Sequence, residues 1–271
     1  MTTVSILGCG WLGLTLGVHL LSSGYAVKGS VTSPEKLDLL RNSGIRPYQL
    51  VVNENSLQVS SHDFFDADAL IVSIPPRRIE GIERIFPAQI GHIISEMLKH
   101  KVSKVIFISS TSVYPENRQL AKETDIIPPE KSSGKALILS EDLLRSEVGF
   151  KTAIIRFGGL IGADRNPARF LLKSGKPVAN IPVNLIHLDD CIGIITAILA
   201  RDYWNETLNA CCPEHPLKRE FYGKATEVSG LSLPNFTDDD DDYKIVDSTK
   251  LITDLDYVFK YHSPLDYLNS L

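Results

Sequence analysis

Several features are scarce or missing in this sequence of 271 residues, and each absence narrows the class of protein. No apolar run reaches the roughly 20 residues that cross a bilayer, so we predict no membrane segment. Lys and Arg number 28 against 33 Asp and Glu, and the resulting net charge of −5 argues against a nucleic-acid partner. There is no internal repeat, and 43% hydrophobic residues predict an ordinary globular core.

Cysteine is equally sparse. Cys9, Cys191, Cys211 and Cys212 have spacings that match neither a zinc site nor a disulfide framework. The adjacent Cys211 and Cys212 are typical of small residues that end a strand, and a redox-active pair is the alternative.

The acidic run at 238–242 lacks the alternating ligands of a calcium loop, so we predict a solvated loop and no metal site. With no secretory signal expected, we predict a cytoplasmic location.

A glycine-rich turn follows the first predicted strand. The segment Val4–Gly13 reads VSILGCGWLG, and a helical apolar pattern follows it. Gly8 permits a sharp turn, Gly10 lets the backbone approach a pyrophosphate, and Gly13 lets the helix pack closely on the strand. Phosphates would bind at the first helical turn, which contains Trp11 and Leu12. The turn therefore predicts a dinucleotide site, and an ordinary tight turn is the alternative.

Strand and helix patterns alternate through residue 157. This succession predicts an α/β fold, a Rossmann-type doubly wound parallel sheet, with a smaller C-terminal α+β substrate lobe. We place the NAD(P)-binding domain at 1–157 and the lobe at 158–271, with parts of 184–212 returning to the main domain. The predicted strands are Val4–Leu7, Tyr25–Val31, Arg46–Val52, Ala67–Ile74, Lys104–Ser109 and Thr152–Phe157, and the predicted helices include Leu37–Asn42, Ile82–Leu98, Lys135–Glu147, Asp189–Ala200, Leu217–Val228 and Ser248–Asp254.

The end of the second strand indicates which nucleotide is bound. An NAD-selective site usually carries Asp or Glu about 20 residues beyond the glycine turn, and none stands here. Ser30 and Thr32 could instead hydrogen-bond a 2′-phosphate while Lys36 supplies charge, which favours NADP. The alternative is an exposed Lys36 and a site that takes either nucleotide. The segment Ser73, Ile74 and Pro75 is expected to line the groove, and Arg77 and Arg78 beyond it either meet an anion or are solvated.

Four motifs follow one another in the sequence and together extend over nearly the whole chain. They are the GCGWLG turn, FISSTSVYP at Phe107–Pro115, RFGG at Arg156–Gly159 followed by Ile161-Gly162, and NLIHLDD at Asn184–Asp190. Together they resemble the extended and atypical short-chain dehydrogenase/reductase superfamily, in its NAD-dependent epimerase/dehydratase branch. The turn is one residue shorter than the usual GxxGxxG, and in this it resembles an atypical subgroup of sugar-nucleotide epimerases.

The resemblance implies specific catalytic positions. Ser110 matches a residue that hydrogen-bonds the reacting oxygen, and Ser109 beside it is expected at the cofactor. The resemblance also implies a proton relay made of a tyrosine and a lysine four residues later, with a glutamate one helical turn after the lysine. When this glutamate is aligned with Glu141, the tyrosine position falls on Ser133 and the lysine position on Leu137. The customary proton relay is therefore missing from these positions.

Other residues could take over the proton transfer. Tyr114 could reach the site, although packing at the base of its loop is the simpler interpretation. His187 could titrate near neutral pH, but its setting is typical of a helix start. No tyrosine lies between Tyr114 and Tyr203, so a small shift in alignment does not restore the relay.

Three functions stay open at this stage. The first is an NAD(P)-dependent epimerase, dehydratase or reductase that acts on a small substrate, for which the resembled subgroup implies a nucleotide sugar. The second is a catalytically silent NADP-binding sensor or scaffold, and the third is a β-hydroxyacid-type dehydrogenase, which the Ser109–Tyr114 and Asn184–Asp190 segments disfavour. The resemblance also implies a homodimer formed by helices that flank Pro87–His100.

Overall fold

The structure, a computed structural model, describes residues 1–165, 168, 177–238 and 242–271. Residues 239–241 of the acidic run lie outside the described residues. The strands are β1 (Thr3–Leu7), β2 (Ala26–Val31), β3 (Arg46–Val52), β4 (Leu57–Val59), β5 (Ala69–Val72), β6 (Lys104–Ser110), β7 (Gln119–Ala121), β8 (Lys151–Phe157), β9 (Gly159–Ile161), β10 (Val178–Ala179), β11 (Leu185–His187), β12 (Glu206–Ala210), β13 (Phe236–Thr237) and β14 (Lys244–Val246).

Helices follow most strands of the first half of the chain. Short 3-10 helices cover Pro34–Lys36, His62–Phe65 and Thr111–Val113. The α-helices are α1 (Trp11–Ser22), α2 (Leu37–Asn42), α3 (Ile82–Lys99), α4 (Ser132–Ser146), α5 (Leu188–Arg201), α6 (Lys218–Ser229), α7 (Thr249–Leu255) and α8 (Pro264–Asn269). In the described part of the chain, no helix combines the length and the apolar composition that crossing a membrane requires.

The central sheet has eight strands in the order β12-β8-β6-β5-β1-β2-β3-β4. β1 pairs in parallel with both β2 and β5, so the chain winds outward from β1 in two directions. Such a reversal of strand order creates a crevice at the carboxyl ends of the strands, where ligands of doubly wound folds bind. The predicted Rossmann-type sheet is confirmed. The antiparallel edge strand β4, which spans three residues, was not predicted from the sequence.

Burial explains why the sequence patterns gave the correct elements. All four residues of β5 are buried, as expected for a parallel strand covered by helices on both faces. The buried side of α3 carries Ile82, Phe86, Ile90, Ile93 and Met97, spaced by three or four residues along one face. Hydrophobic burial therefore holds this helix on the sheet.

The chain divides into two compact units that alternate along the sequence. The first unit comprises Met1–Val113, Pro128–Arg156 and Ile195–Thr207, and the second comprises Tyr114–Ile127, Phe157–Ile194 and Leu208–Leu271. Within the second unit, three small parallel sheets pair β7 with β14, β9 with β11, and β10 with β13. Its core contains Ile161, Ala168, Val183, Phe221, Ala225, Tyr267 and Leu268.

Candidate functional site

The glycine turn joins the end of β1 to the start of α1 in the first unit. Gly8 has φ +100°, a backbone conformation that side-chain-bearing residues rarely adopt. A Cβ atom on Gly8 would lie 2.7 Å from the Ser73 carbonyl oxygen and 2.9 Å from a methyl carbon of Ile74. A Cβ atom on Gly13 would collide with the Gly8 carbonyl oxygen. Both positions therefore require glycine for the turn itself to form.

Gly10 is different, because neither its backbone nor the surrounding protein demands glycine. Its φ is −81°, which other residues adopt readily, and no described atom lies within 4 Å of an added Cβ. Gly10 is also the N-cap of α1, and a glycine has no side chain to accept hydrogen bonds from the first helical turn. The helix start thus combines open space with a partial positive charge, an arrangement suited to an anionic group.

Ser30 stabilises this turn from the neighbouring strand β2. Its side-chain oxygen accepts a hydrogen bond from the Gly8 N–H at 3.1 Å, and its carbonyl oxygen accepts one from the Cys9 N–H at 2.8 Å. The Ser30 side chain is buried, with 2% exposure. The Ser30 oxygen therefore helps to hold the glycine turn in place, while its hydrogen bond to a 2′-phosphate stays a prediction.

A cleft of about 250 Å³ opens beside the turn. It lies where β1, β2, β3 and β5 end, as expected for a ligand site in this fold. Of the predicted nucleotide residues, Gly8, Ser30, Thr32, Ile74 and Pro75 line it. The others that line it are Leu7, Val31, Leu50, Val51, Val52, Arg77 and Gln89.

The structure adds the end of β3 to the predicted nucleotide site. Leu50, Val51 and Val52, which end β3, line the cleft. The sequence did predict β3, and because ligands bind at the carboxyl ends of parallel strands, its last residues could have been identified from that strand. Lys36 ends the exposed 3-10 helix and is not among the residues that line the cleft. Arg77 does line it, and in the described part of the chain its guanidinium has no ion-pair partner.

Ser109 belongs to a buried polar network at the end of β6. Its hydroxyl donates to a Glu141 carboxylate oxygen at 2.6 Å. Glu141 is fully buried and also pairs with the buried Arg156 at 2.6 Å and with Arg145 at 2.5 Å. The Ser109 side chain therefore ties β6 to Glu141 on α4, and Glu141 joins β8 through Arg156, so Glu141 is the centre of this network.

Ser110 and Ser133 lie on two segments that pack against each other. Ser110 ends β6, and its side-chain oxygen accepts a hydrogen bond from the Ser112 N–H at 3.2 Å. Ser133 lies in the first turn of α4, and a Cβ atom on its neighbour Gly134 would collide with the Ser112 carbonyl oxygen. The structure therefore brings the loop after β6 against the start of α4, as the resemblance implies. Both serines are half-buried.

The usual lysine position offers no cation. Leu137 is buried, with 2% exposure, one helical turn beyond Ser133. The nearby Lys135 is exposed, and its Nζ lies 3.9 Å from a carboxylate oxygen of Glu83 on α3. Because side chains two positions apart on a helix point in very different directions, Lys135 does not substitute for a lysine at 137.

Tyr114 and His187, both in the second unit, are held by local contacts. Tyr114 is buried, and its hydroxyl donates to the Asn209 side chain at 2.7 Å. A His187 ring nitrogen, Nδ1, accepts from the Asp189 N–H at 3.1 Å at the start of α5. Burial lowers the pKa of His187. These contacts fit the simpler interpretations, a packed tyrosine and a histidine that caps a helix.

The chain is similar to a known protein along nearly its whole length. It is 35% identical to Protein YeeZ of Escherichia coli over 270 residues, which cover 98% of each chain. No family model matches the chain.

Two solved structures of the same fold are informative. UDP-glucose 4-epimerase of Thermotoga maritima with UDP-glucose has a TM-score of 0.76 at 18% identity over 99% of each chain. A short-chain dehydrogenase/reductase superfamily protein of Agrobacterium tumefaciens with bound NAD has a TM-score of 0.77 at 16% identity, over 99% of this chain and 95% of that one. The resemblance inferred from the motifs is confirmed at the level of the fold.

Proposed function

This chain belongs to the family of Protein YeeZ, with the fold of short-chain dehydrogenase/reductase proteins, and on this premise we propose that it binds a nicotinamide dinucleotide at the Gly8–Gly13 turn. The observation that carries the proposal is the open space beside Gly10. A Cβ atom on Gly8 or Gly13 would collide with neighbouring protein atoms, whereas one on Gly10 would meet none. A pyrophosphate would fill that space and accept hydrogen bonds from the first turn of α1. The Agrobacterium relative of this fold was solved with bound NAD.

We propose that the adenosine half of the dinucleotide occupies the cleft at the ends of β1, β2, β3 and β5. The apolar side chains of Leu50, Val52 and Ile74 suit an adenine ring, and Thr32 stands at the ribose position after β2. None of the described residues that line the cleft is acidic and would repel a 2′-phosphate, and Arg77 supplies a guanidinium that can pair with one. We therefore propose NADP as the preferred nucleotide, with Arg77 rather than Lys36 as the cation.

Arg77→Ala tests this preference. Loss of a charge-assisted hydrogen bond to phosphate typically removes about 1.5–3 kcal/mol, so NADPH is expected to bind about ten- to a hundredfold more weakly. NADH affinity is expected to stay nearly constant, because NADH carries no 2′-phosphate. Fluorescence titration with both nucleotides measures the ratio, and Arg78→Ala, a neighbouring exposed arginine outside the cleft lining, is the control. Equal losses for NADPH and NADH would contradict the assignment.

The reaction that this fold and these residues support best is a hydride-transfer reaction of the epimerase, dehydratase or reductase type. The Thermotoga relative is an epimerase solved with UDP-glucose, which favours a nucleotide sugar as the class of small substrate. Ser110 would hydrogen-bond the reacting oxygen, and Ser133 would stand beside the same atom. Because a serine hydroxyl is a weak base, another group, such as one on the substrate, would have to accept the proton. We assign substrate contacts to the lobe at 158–271.

A nucleotide sensor that performs no chemistry is the second candidate. It is favoured by Leu137, which is buried where the relay lysine would stand, and by Tyr114, whose proton is donated to Asn209. Enzyme and sensor would share the nucleotide site, and only turnover separates them.

NADPH fluorescence titration of the purified chain is the first experiment. Enhanced nicotinamide emission is expected on binding, whereas no binding at millimolar nucleotide would refute the enzyme and the sensor together. Nucleotide sugars and simple carbonyl compounds are then screened for nucleotide oxidation or reduction and for epimerised products.

Ser110→Ala is the matched variant for this screen. Removal of a hydrogen-bond donor to the reacting oxygen is expected to lower turnover about a hundredfold or more, while NADPH affinity is retained. If wild type and Ser110→Ala both give flat traces while binding NADPH, the sensor is the correct function. If both turn over at the same rate, Ser110 has no catalytic role.

We propose that the protein is located in a reducing cytoplasm, because its four cysteines are buried and free.

We also propose a homodimer formed through α3 and α4. The two helices expose Leu98, Leu139 and Leu143. Exposed leucines on two helices that pack together suit pairing with a second copy of the chain across a twofold axis. Sedimentation velocity measures the assembly, and a purely monomeric species at micromolar concentration would contradict the dimer.

A further inference from the structure

Two histidines and a glutamate converge in the first unit, away from the glycine turn. His62 begins the 3-10 helix before β5, and Glu96 and His100 lie one turn apart at the end of α3. One ligand atom from each of the three side chains lies within 4.8 Å of the other two. We propose that His62, Glu96 and His100 bind a divalent transition-metal ion of the Zn²⁺ class.

His100 provides the strongest argument. Its Nδ1 lies 2.8 Å from a carboxylate oxygen of Asp66. An ionised carboxylate only accepts hydrogen bonds, so Nδ1 carries a proton, and in the neutral ring, the form that binds metals, a lone pair remains on Nε2. That Nε2 is buried, has no hydrogen-bond partner among the described residues, and lies 3.7 Å from a Glu96 oxygen.

Two acceptors therefore face each other across a gap. A proton on Nε2 would not resolve the conflict well, since 3.7 Å is too long for a normal hydrogen bond. A metal cation between them would satisfy both atoms. The Asp66–His100 contact has the pattern of a carboxylate that orients a metal-binding histidine through its other ring nitrogen.

His62 completes the site on the solvent side. Its Nδ1 lies 2.7 Å from the same Glu96 oxygen, and its ring is parallel to that of His100 with centroids 6.0 Å apart. Tetrahedral zinc at roughly 2.0–2.1 Å from its ligands places them about 3.3 Å apart. The Glu96 oxygen lies 2.7 Å from His62 Nδ1 and 3.7 Å from His100 Nε2, and all three ligand atoms lie within 4.8 Å of one another. The His62 side chain is 53% exposed, so it has room to rotate and water has access to a fourth position.

The donor set selects the class of metal. Two imidazoles and one carboxylate suit Zn²⁺ and neighbouring transition metals, whereas Mg²⁺ and Ca²⁺ prefer oxygen ligands throughout. Lys99 competes weakly, with its Nζ 3.5 Å from the other Glu96 oxygen and its side chain 61% exposed.

The position of the site indicates a structural or regulatory ion. Asp68, just before β5, donates its N–H to the Thr3 carbonyl oxygen at the start of β1, which marks the amino-terminal edge of the sheet. The cluster lies beside this edge, because His62–Phe65 precede β5 and α3 ends there. The glycine turn and the cleft lie at the carboxyl edge. A bound ion would join the 3-10 helix to the end of α3 without touching the nucleotide.

Calorimetric titration of tag-free, chelator-treated protein with ZnCl₂ tests the proposal. One Zn²⁺ per chain is expected to bind, and Glu96→Gln and His100→Ala are each expected to weaken binding at least tenfold. Asp66→Asn, which removes the orienting carboxylate, is expected to weaken it about ten- to a hundredfold. His19→Ala removes an exposed histidine on α1 and is expected to leave the affinity unchanged.

Thermal melting of the same proteins separates loss of a ligand from loss of the fold. Without metal, Glu96→Gln is expected to melt cooperatively with a wild-type circular dichroism spectrum. Added Zn²⁺ is expected to raise the melting temperature of the wild type and not that of Glu96→Gln. The proposal is overturned if the wild type binds no Zn²⁺ below millimolar concentration, or if Glu96→Gln binds it as tightly as the wild type.

Discussion

Gly10→Asp is expected to abolish NADPH binding while the protein becomes slightly more stable. The new carboxylate would occupy the space proposed for the pyrophosphate and repel it, and we expect at least a hundredfold loss of affinity, about 2.7 kcal/mol. The same carboxylate would cap α1, whose N-cap now lacks a side chain, and aspartate at this position typically stabilises a helix by a few tenths to about 1 kcal/mol. Fluorescence titration and thermal melting measure the two opposite effects.

A matched pair of alanine substitutions serves as the control. A Cβ atom at Gly10 or at Gly91, within α3, meets no described atom within 4 Å, so neither alanine disturbs the packing. Gly10→Ala is expected to weaken NADPH binding at least tenfold, whereas Gly91→Ala is expected to leave it unchanged and to favour the helix by roughly 0.5–1 kcal/mol. If Gly10→Asp binds NADPH as the wild type does, the phosphate does not lie at this turn.

Glu141→Leu is expected to cause the largest loss of stability of any single change considered for this protein. The substitution leaves Arg156, 5% exposed, without its buried carboxylate partner, and also removes the acceptor of the Ser109 hydroxyl. Removing one member of a buried ion pair typically costs about 3–5 kcal/mol, because the remaining charge is poorly solvated. Urea denaturation measures this loss as a lower midpoint of unfolding.

Two further variants show whether burial is the cause. Asp142→Ala removes the adjacent exposed carboxylate, which pairs with Arg145 at 2.7 Å, and is expected to cost less than about 1 kcal/mol. The double variant Glu141→Leu with Arg156→Met is expected to recover much of the lost stability, since the buried guanidinium is removed together with its carboxylate partner. A Glu141→Leu protein no less stable than Asp142→Ala would show that the network contributes little.

Local patterns predicted most of the secondary structure, because each depends on residues close together in the chain. The alternation of apolar runs with helical stripes located β1, β2, β3, β5, β6 and β8 to within a few residues. The short strand β4 escaped detection, because three residues carry too little periodicity and their pairing with β3 decides their conformation. The five-residue strand β12 was indicated only through Cys211 and Cys212, the small residues expected to end a strand.

In the candidate site, too, local sequence patterns predicted some features, and only tertiary contacts decided the others. The glycine turn was visible in the sequence, and so was the departure from the usual catalytic pair at Ser133 and Leu137. Sequence could not reveal that Ser109 and Tyr114 have their hydroxyls engaged, since their acceptors Glu141 and Asn209 lie 32 and 95 positions away. The assignment of NADP, the catalytic roles and the domain boundary at 157 stay predictions.

The sequence by itself determined the order of the main strands β1, β2, β3, β5, β6 and β8, their parallel sheet and the conformation of the Gly8–Gly13 turn, because backbone restrictions and hydrophobic periodicity act between near neighbours. Only the tertiary structure decided which glycine borders open space, which serine is committed to a buried carboxylate, and that His62 meets Glu96, 34 positions further along the chain. Such contacts depend on how strands and helices pack, and packing brings together atoms whose distance in space no local pattern records.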